Sequence, residues 1–431
     1  MLVKFTIEVD GREAGIVERE VCGTAAAIEE QIREIQQRTG RIVLEHSIQE
    51  LCDQTPAPHC CGHRMENRGF RPLTLQSTFG EIPIQRRAYR CNSCGHTSFP
   101  ADSQICSGRH HVTRPFAQRA CQLATIEHFT MLPELLLSQH GVTLSHDTLL
   151  ELAHDVGSAA DRLRQAEAQL SVPQRSAPVC LTPAPDRIYV SVDGIMYCTN
   201  LTEPNPNRPG EKRLIWQQMK VGCVYWQDAN ERWQKQMIWG RESPEDFGAA
   251  VWRLACQCGY LQAKEKIFAA DGGSWCWDIH ARYFSDASGV LDWFHVSEHV
   301  WEAARSVAPD SSAQWSAIAL NQLHDGGGKS LVEWLKSQAA ARRGGPRQAL
   351  EGLINYLSGK IHLTDYPTYR SSGWQIGTGM IESTCKQLVG QRLKGPGMHW
   401  TEPGAIAVTA LRATTLNGKW QSFWNSLALS T

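Results

Sequence analysis

Two short apolar segments that each end in Asp-Gly constrain the fold of this chain more than any other feature. They are RIYVSVDG at 187–194 and KIFAADG at 266–272. Apolar runs of this length predict buried or half-buried strands, and the first has the period of two that strands show. Gly194 is expected to turn the backbone away sharply and to let a substrate come close. The sequence therefore predicts that Asp193 and Asp271 meet at one edge of a sheet.

The length and composition of the chain fit an ordinary soluble protein with several domains. A chain of 431 residues is too long to fold around one hydrophobic core. Its length therefore predicts roughly two to four domains. The apolar windows are short and the N-terminus lacks a signal-peptide core, so we expect a cytoplasmic protein without a membrane partner. The net charge of −1 argues against a wholly basic nucleic-acid protein but allows local basic faces. The fifteen cysteines are expected to be free thiols with one metal site.

The N-terminal region alternates first like a hairpin and then like a helix. Residues 1–20 are predicted to form the hairpin, with Asp10-Gly11 as its turn. A helical pattern over 24–37 resumes over 42–51, with Thr24 as the N-cap. No residue pattern in this region indicates a chemical function.

Two cysteine knuckles predict a zinc ribbon. In the second knuckle, YRCNSCGH, two thiolates are placed to bind one Zn²⁺, and the glycine permits the turn. The first, PHCCGH, is irregular, because a regular knuckle needs a cysteine at Ala57. Cys60 with His63, or Cys61 with His59 or His63, is expected to complete a tetrahedral set, and the alternative is a ribbon that has lost its metal. The candidate zinc ligands are Cys60, Cys61, His63, Cys91 and Cys94.

The hairpin predicted between the knuckles, with strands at 70–77 and 81–90, carries an excess of arginine. Such an excess suits contact with phosphates, and a solvated face is the alternative. The residues concerned are Arg64, Arg68, Arg71, Arg86, Arg87 and Arg90, against Glu66 and Glu81.

Residues 112–170 have a helical period. Three helices are predicted here. The first starts at Thr113, which would cap it, the second spans 131–140, and the third runs from Ser145 to about residue 169. The short Gly turn before Ser145 resembles a helix-turn-helix, although many helical bundles share it. Ser145, His146 and Thr148 are the expected DNA contacts at the start of the recognition helix. A Pro-rich stretch then predicts a linker.

The part of the chain after the linker reads as a mixed α/β sheet with a helical insertion. Strands are predicted at 187–193, 196–199, 213–225, 233–239, 266–271 and 290–294, and helices at 245–259, 275–284 and 295–304. Residues 301–370 are mostly helical, with a Gly-rich break at 326–328. Glu382 then falls in the first turn of a helix that Thr378 or Gly379 caps.

Asp193, Asp271 and Glu382 form a candidate carboxylate triad. Carboxylates that converge from strand ends and a helix bind Mg²⁺, with Mn²⁺ as its substitute. Two such ions roughly 3.5–4 Å apart activate a water or a 3′-hydroxyl for in-line displacement at phosphorus and stabilise the leaving oxygen. A lone Asp-Gly is usually only a turn, but two at strand ends, with Glu382 in a Gly-rich basic segment, favour a catalytic site.

Five segments carry a resemblance to a known family: VDG, AADGGSWCW, LDWFHVSEHVWEAA, GTGMIESTCKQLVGQRLKGPGMHW and AVTALRA. They resemble the catalytic part of bacterial insertion-sequence DDE transposases of the ISKra type, which are similar to Mutator-like transposases. The resemblance covers about 187–425, and its last motif, Ile-Glu-Ser followed by Gln-Arg-Leu-Lys and a later Trp, is the most specific. It implies a multidomain α/β protein with a ribonuclease-H-like core.

The resemblance also implies roles for single residues. Asp193 and Asp271 match the two aspartates of the family, and Glu382 matches the final acid. Asp292 and His295 match a downstream motif of the wider superfamily, where His295 would position DNA or a flanking phosphate, with a structural hydrogen bond as its alternative. The basic and aromatic candidates for DNA contact are Trp275, Trp374, Arg392, Lys394 and Trp400, with core packing as the default for the tryptophans.

The expected organisation is a DNA-binding N-terminal third followed by a divided catalytic core. The predicted segments are an N-terminal α/β region (1–51), a zinc ribbon (52–111), a helical DNA-binding region (112–170), a linker (171–186), the first part of the core (187–300), the helical insertion (301–370) and the last part of the core (371–431).

The predicted function is a DNA transposase. It would cleave the ends of its own element with two Mg²⁺ ions per site and join them to target DNA, as a homodimer or higher oligomer on DNA at the bacterial nucleoid. One alternative is a structure-specific nuclease of the same fold. Another is a domesticated, non-catalytic DNA-binding protein, against which the retained acids speak.

Overall fold

The computed structural model describes residues 1–168 and 184–427, which divide into two compact units. Unit 1 comprises Met1–Asp161 and Ile406–Thr431, and unit 2 comprises Arg162–Ala405. The predicted linker lies outside the described residues except for its last three, and the finer division into segments stays a prediction. In the described ranges, the helices are all too short or too polar to cross a bilayer.

Unit 1 opens with a hairpin and a long helix. Strands β1 (Leu2–Val9) and β2 (Arg12–Glu20) pair antiparallel, which confirms the predicted hairpin. Helix α1 (Ala25–Gln54) is capped by the Thr24 hydroxyl, as predicted, but the predicted interruption between 37 and 42 is wrong.

Gly40 falls in that supposed interruption. A Cβ at Gly40 would overlap the ring of Phe79, so tight packing holds the helix across a weak helix former.

Five strands and four helices follow α1, and the last of these helices extends past Asp161, where this part of unit 1 ends. The strands are β3 (His59–Cys60), β4 (His63–Arg64), β5 (Glu66–Ser77), β6 (Gly80–Arg90) and β7 (Thr97–Ser98). The helices are α2 (Asp102–Ile105), α3 (Arg114–Ala124), α4 (Leu132–His140) and α5 (His146–Ala168). Strands β5, β6 and β7 form one antiparallel sheet. Thr113 occupies the N-cap of α3 and Pro115 its first turn, as predicted, although the Thr113 side chain makes no capping hydrogen bond.

A five-stranded mixed sheet forms the centre of unit 2. Its strands are β8 (Arg187–Pro204), β9 (Lys212–Gln227), β10 (Trp233–Gly240), β11 (Glu265–Ala270) and β12 (Ser288–Leu291). The order is β10-β9-β8-β11-β12. The first three strands are antiparallel, whereas β11 runs parallel to both β8 and β12.

Strand β8 corrects two predictions. It runs through Asp193 and Gly194 without a turn, because its ladder with β9 continues through both residues, to Val221 and Lys220. The strands predicted at 187–193 and 196–199 are therefore one strand. A Cβ at position 194 would overlap the end of the exposed side chain of Gln218, which would have to move aside.

The remaining helices of the chain belong to unit 2 up to Ala405 and to unit 1 from Ile406 onwards. They are α6 (Pro244–Gln257), α7 (Ser274–Tyr283), α8 (Trp293–Val307), α9 (Ser312–Ala340), α10 (Gly344–Ser358), α11 (Tyr366–Ser371), α12 (Gly379–Cys385), α13 (Gln391–Leu393), α14 (Glu402–Leu416) and α15 (Trp420–Ser426). A π-helical turn, Lys386–Gly390, joins α12 to α13. The predicted break at 326–328 is a kink at Gly327 within α9.

The main core of unit 2 lies between the sheet and helices α6 and α7. Val190, Phe247 and Phe268 are among its fully buried members. Two acids directly follow the parallel strands, Asp271 after β11 and Asp292 after β12. This arrangement leaves the carboxyl ends of the parallel strands free to form a site.

Candidate functional site

A pocket of about 220 Å³ in unit 2 collects acids from several elements. It is lined by Val192, Asp193, Asp271, Asp292, Phe294, His295, Glu298, Thr378, Ile381 and Glu382. The structure thus brings the three acids of the candidate triad together with Asp292 and His295. Glu298 was missed by sequence reasoning, although it lies one helical turn after His295 and so shares its face.

The sheet explains how the aspartates meet. Strand β8 pairs with β11 as far as Ser191 and Ala269, and each strand reaches its acid two residues later. Asp271 directly follows β11, and its Oδ1 accepts a hydrogen bond of 2.9 Å from the Gly273 N–H. Parallel strands carry their carboxyl ends to the same edge, so the two carboxylates are held side by side.

Like charge accumulates in this pocket. Burial is the main cause that raises the pKa of Asp193 above its ordinary value, and the negative charges of Asp271 and Glu382 raise it further. The Gly194 N–H, 2.6 Å from Asp193 Oδ1, acts in the opposite direction. The lining contains five carboxylates and, among the described residues, neither lysine nor arginine.

Such a donor set fits a hard divalent cation. All five acids offer oxygen, which Mg²⁺ and Mn²⁺ prefer. A bound cation would also relieve the repulsion that raises the Asp193 pKa. Because the donors come from a strand, two strand ends and two helices, they surround the pocket from several directions.

Two buried thiols support the aspartates. Cys385 Sγ lies 3.7 Å from Asp193 Oδ2, and Cys276 Sγ lies 3.6 Å from Asp271 Oδ1. Burial raises the pKa of both thiols, so they stay protonated and donate to the carboxylates. Sequence reasoning missed both cysteines, because their spacing relative to the aspartates has no pattern.

Asp292 and Thr378 tie two parts of the pocket together. Asp292 is buried and caps α8 by accepting from the Phe294 N–H. The Thr378 hydroxyl donates to Asp292 Oδ2 at 2.6 Å and lies 3.3 Å from Glu382 Oε1. Thr378 therefore positions the acid-bearing helix, although its side chain does not cap α12 as predicted. The strand predicted at 290–294 is also wrong beyond Leu291, because Asp292 begins α8.

His295 faces the same pocket from the first turn of α8. Its Nδ1 is 3.6 Å from Glu298 Oε2, and its ring centroid is 4.8 Å from that of His299. A role in positioning DNA stays a prediction.

The tryptophans and basic residues near Glu382 are mostly packed. Arg392 is buried with its guanidinium 4.9 Å from the Trp400 ring, and buried Trp400 donates its indole N–H to the Leu393 carbonyl. Neither reaches solvent, so their predicted DNA contacts do not fit this structure. Lys394 is exposed and keeps that prediction. Trp275 packs on the core, and half-buried Trp374 stacks on Tyr369 with centroids 5.3 Å apart.

The predicted DNA-contacting residues of unit 1 also have partners. Arg86 pairs with Asp102 and stacks on Phe99, while Arg87 lies over Phe70. The remaining arginines of the hairpin are exposed: Arg64, Arg68, Arg71 and Arg90. Of these four, Arg68 pairs with Glu66 at 2.9 Å.

Ser145 and His146 occupy the start of α5. Ser145 Oγ accepts from the Thr148 N–H at 3.1 Å, and His146 Nδ1 is 3.0 Å from Asp147 Oδ1. Ser145 thereby acts as a helix cap, and contact of this helix with DNA stays a prediction.

Four cysteines of the ribbon form a cluster that can hold a metal. They are Cys60, Cys61, Cys91 and Cys94, whose sulfur atoms all lie within 4.8 Å of one another. Cys60 Sγ is 3.8 Å from Cys61 Sγ and 3.6 Å from Cys94 Sγ. A tetrahedral site with Zn–S bonds of about 2.3 Å has sulfur atoms roughly 3.8 Å apart, so the spacing fits Zn²⁺.

The cluster corrects the predicted first knuckle. Both adjacent cysteines take part, so histidine is not needed, and His63 lies outside the cluster with an exposed side chain. Adjacent cysteines can both reach the centre because Cys61 adopts a left-handed backbone, with φ of 50°. Backbone N–H groups of Cys94 and then Ser93 lower the pKa of the Cys91 thiol to about 6, which favours its thiolate, whereas hydrogen bonds with Cys94 raise the pKa of the Cys60 and Cys61 thiols. None of the fourteen cysteines in the described ranges forms a disulfide.

Comparison with known proteins gives a distant structural likeness. No family model matches the chain, and no curated protein matches it. A solved structure that the chain resembles is the Drosophila P element transposase strand transfer complex, with 9% identity and a TM-score of 0.27. The match covers 73% of this chain and 81% of that chain. An identity and a TM-score this low assign neither a family nor a function.

Proposed function

We propose that this chain is a Mg²⁺-dependent DDE transposase with a ribonuclease-H-like core. The observation that carries the proposal is that Asp193, Asp271 and Glu382, which are far apart in sequence, line one pocket. Clustered acids without a cationic side chain are costly unless they bind a cation. A catalytic metal site accounts for this cost, whereas an ordinary fold has no need of it.

The sheet supports the proposed core. Three antiparallel strands come first in the chain, and two further strands join the first of them in parallel. Asp193 lies on the central strand and Asp271 directly after its parallel neighbour. A ribonuclease-H-like core requires this placement of its first two acids, and Glu382 on α12 would provide the third.

The metal ligands would be Asp193, Asp271 and Glu382. Bound Mg²⁺ would supply an activated nucleophile and neutralise charge at phosphorus. The residues of the chain orient this site: Cys276 and Cys385 hold the aspartates, and Thr378 holds α12 through Asp292. Rigid ligands keep the geometry ready before substrate binds.

We propose DNA ends as the substrate, with hydrolysis first and transfer second. The released 3′-hydroxyl takes the place of water in the second step, and the same acids serve both. The exposed arginines of the ribbon support contact with DNA phosphates. Two ends require two pockets, so the proposed assembly on DNA is at least a dimer.

The test is cleavage of linear DNA that carries the ends of the encoding element, with Mg²⁺. Glu382→Gln keeps the shape of the side chain and removes its charge, so we expect cleavage to fall by at least about 10³-fold with DNA binding retained. The matched control is Glu333→Gln, at an exposed position outside the pocket, which should cleave normally.

The products decide between the related functions. Joined products in addition to cut ends support a transposase, whereas cut ends alone favour the nuclease. Unchanged cleavage by Glu382→Gln would mean that the third acid is misplaced. If Asp193→Ala kept every DNA-dependent activity, the binding-only alternative would be right.

A further inference from the structure

An exposed aromatic ring lines the acid pocket. Phe294, the second residue of α8, lies in the lining of this pocket together with the acids. Its side chain is 61% exposed, which makes it the most exposed of the large hydrophobic side chains described in unit 2. A single exposed hydrophobic residue is ordinary on a protein surface, so what distinguishes Phe294 is its position beside the acids.

The backbone of Gly377 supports one edge of this ring. A Cβ at Gly377 would lie 2.8 Å from Cε2 and 2.9 Å from Cδ2 of Phe294, so a side chain there would displace the ring. Gly377 does not have a positive φ, and the backbone conformation alone therefore does not require glycine. Glycine at this position lets the ring rest against the backbone while most of its surface stays exposed.

Hydrogen bonds fix the start of α8 to the segment that precedes α12. The Phe294 N–H donates to Asp292 Oδ1 at 3.0 Å, and the same carboxylate accepts from the Thr378 hydroxyl. The Trp293 N–H donates to the Ile376 carbonyl at 3.0 Å. The backbone that carries the ring is therefore tied to the helix that carries the third acid. A residue whose backbone is fixed before binding loses less conformational entropy when a ligand packs on it.

The pocket lining around the ring is mostly polar. It includes exposed Glu298 and half-buried His295, whereas its other hydrophobic residues, Val192 and Ile381, are buried. Within this lining the ring is therefore not part of an exposed apolar patch of the kind that docks a protein. A lone flat ring beside a charged site suits a ligand that has a flat, uncharged face next to an anion.

A nucleotide has both of these features. Its phosphate would bind at the metal that the acids hold, and its base, one sugar away, has a flat face that stacks on aromatic rings. In a paired duplex the neighbouring bases cover the faces of each base. A protein ring therefore reaches the face of an internal base only after that base has left the stack, which costs unpairing energy.

We propose that Phe294 stacks on an unpaired base next to the phosphodiester that binds at the acids. This contact rests on the proposed function and narrows its substrate to DNA that is locally unpaired beside the cleaved bond. Stacking would stabilise the displaced base. By holding the base, the ring would also limit the movement of the attached phosphate over the acids.

The test measures the Kd of the full chain for linear DNA with the ends of the encoding element, in Ca²⁺, which also binds oxygen ligands. One DNA is fully paired, and the other has a mismatch at the junction between element and flank. Wild type should bind the mismatched DNA more tightly, because unpairing costs less there. Phe294→Ala should weaken binding of the mismatched DNA by about 5- to 150-fold, the value of one stacked base. The paired DNA should lose less, because its base can return to the stack.

Further variants separate stacking from apolar bulk. Phe294→Trp keeps an aromatic face and should keep the preference for mismatched DNA, whereas Phe294→Leu lacks that face and should bind like Phe294→Ala. All three variants should melt near the wild-type temperature, because this side chain is mostly exposed. The matched control is Trp216→Ala, which removes a ring that is 52% exposed and lies outside the pocket. It should bind both DNAs like wild type.

Removal of single bases locates the contact. An abasic residue is placed at each position near the junction in turn, and wild type and Phe294→Ala are compared on each DNA. Where the missing base is the one that stacks, the ring has no partner, so the two proteins should bind alike. An effect of Phe294→Ala that persists on every abasic DNA would overturn the assignment to a base.

The outcomes separate this contact from the function on which it rests. Equal binding of mismatched DNA by wild type and Phe294→Ala, or by wild type and Phe294→Leu, would refute the stacking contact and leave the proposed function standing. A wild type with Phe294-dependent binding that cleaves no DNA with Mg²⁺ would refute the proposed function and support the contact. A wild type that binds neither DNA would refute both.

Discussion

The pKa of Asp193 reflects the environment of the carboxyl group in the folded protein. This pKa is raised by burial and by two neighbouring acids, so the folded state holds this proton more tightly than the unfolded state does. Stability without metal should therefore fall as the pH rises from the unfolded pKa to the folded one, since the native state binds more protons in that range. Above it, the ionised carboxylate destabilises the metal-free protein.

A stability measurement tests whether the ionised Asp193 destabilises the metal-free protein. Asp193→Asn removes the charge, so we expect a higher melting temperature than wild type at pH 7 in chelator-treated buffer. Mg²⁺ at about one hundred times its Kd should stabilise the wild type by about 2.7 kcal/mol and the variant by less. Asp278→Asn, an exposed change outside the pocket, should behave like wild type. A lower melting temperature for metal-free Asp193→Asn would contradict the account.

At the scale of single elements, local patterns predicted most helices and strands, and non-local packing decided the exceptions. The hairpin at 1–20 and the helices after residue 240 follow from period and capping. The Asp-Gly of β8 was misread as a turn because the ladder with β9 that continues the strand is invisible locally. The interruption predicted in α1 was wrong for the same kind of reason, because Phe79, from a distant part of the chain, packs on Gly40.

The four-cysteine cluster offers a prediction at this scale. Cys61→Ser should reduce bound zinc well below one ion per chain and lower the thermal stability of the ribbon, because the metal stabilises such small modules. His63→Ala should keep its zinc, because this histidine lies outside the cysteine cluster. Metal content after desalting distinguishes the two variants. Zinc lost from His63→Ala and kept in Cys61→Ser would restore the predicted histidine ligand and reject the four-cysteine site.

At the scale of the whole molecule, the pocket unites residues that no local pattern connects. Motifs named Asp193, Asp271, Glu382 and His295 as candidates, and all of them line it. The contact of the Cys385 thiol with Asp193 could not be predicted, because only tertiary packing brings the two together. Motif reasoning was wrong where it ignored burial. Arg392 and Trp400 have side chains suited to nucleic acid but lie buried against each other.

The central claim is that these acids hold the metal that cleaves DNA, and a change of ligand tests it most directly. Asp271→Cys replaces an oxygen ligand with sulfur, which binds softer ions such as Mn²⁺ better than Mg²⁺. We expect wild type to cleave DNA with either ion, and Asp271→Cys to cleave with Mn²⁺ and not with Mg²⁺. Cleavage by a folded Asp271→Cys at the wild-type rate with Mg²⁺, or with neither ion, would contradict Asp271 as a metal ligand.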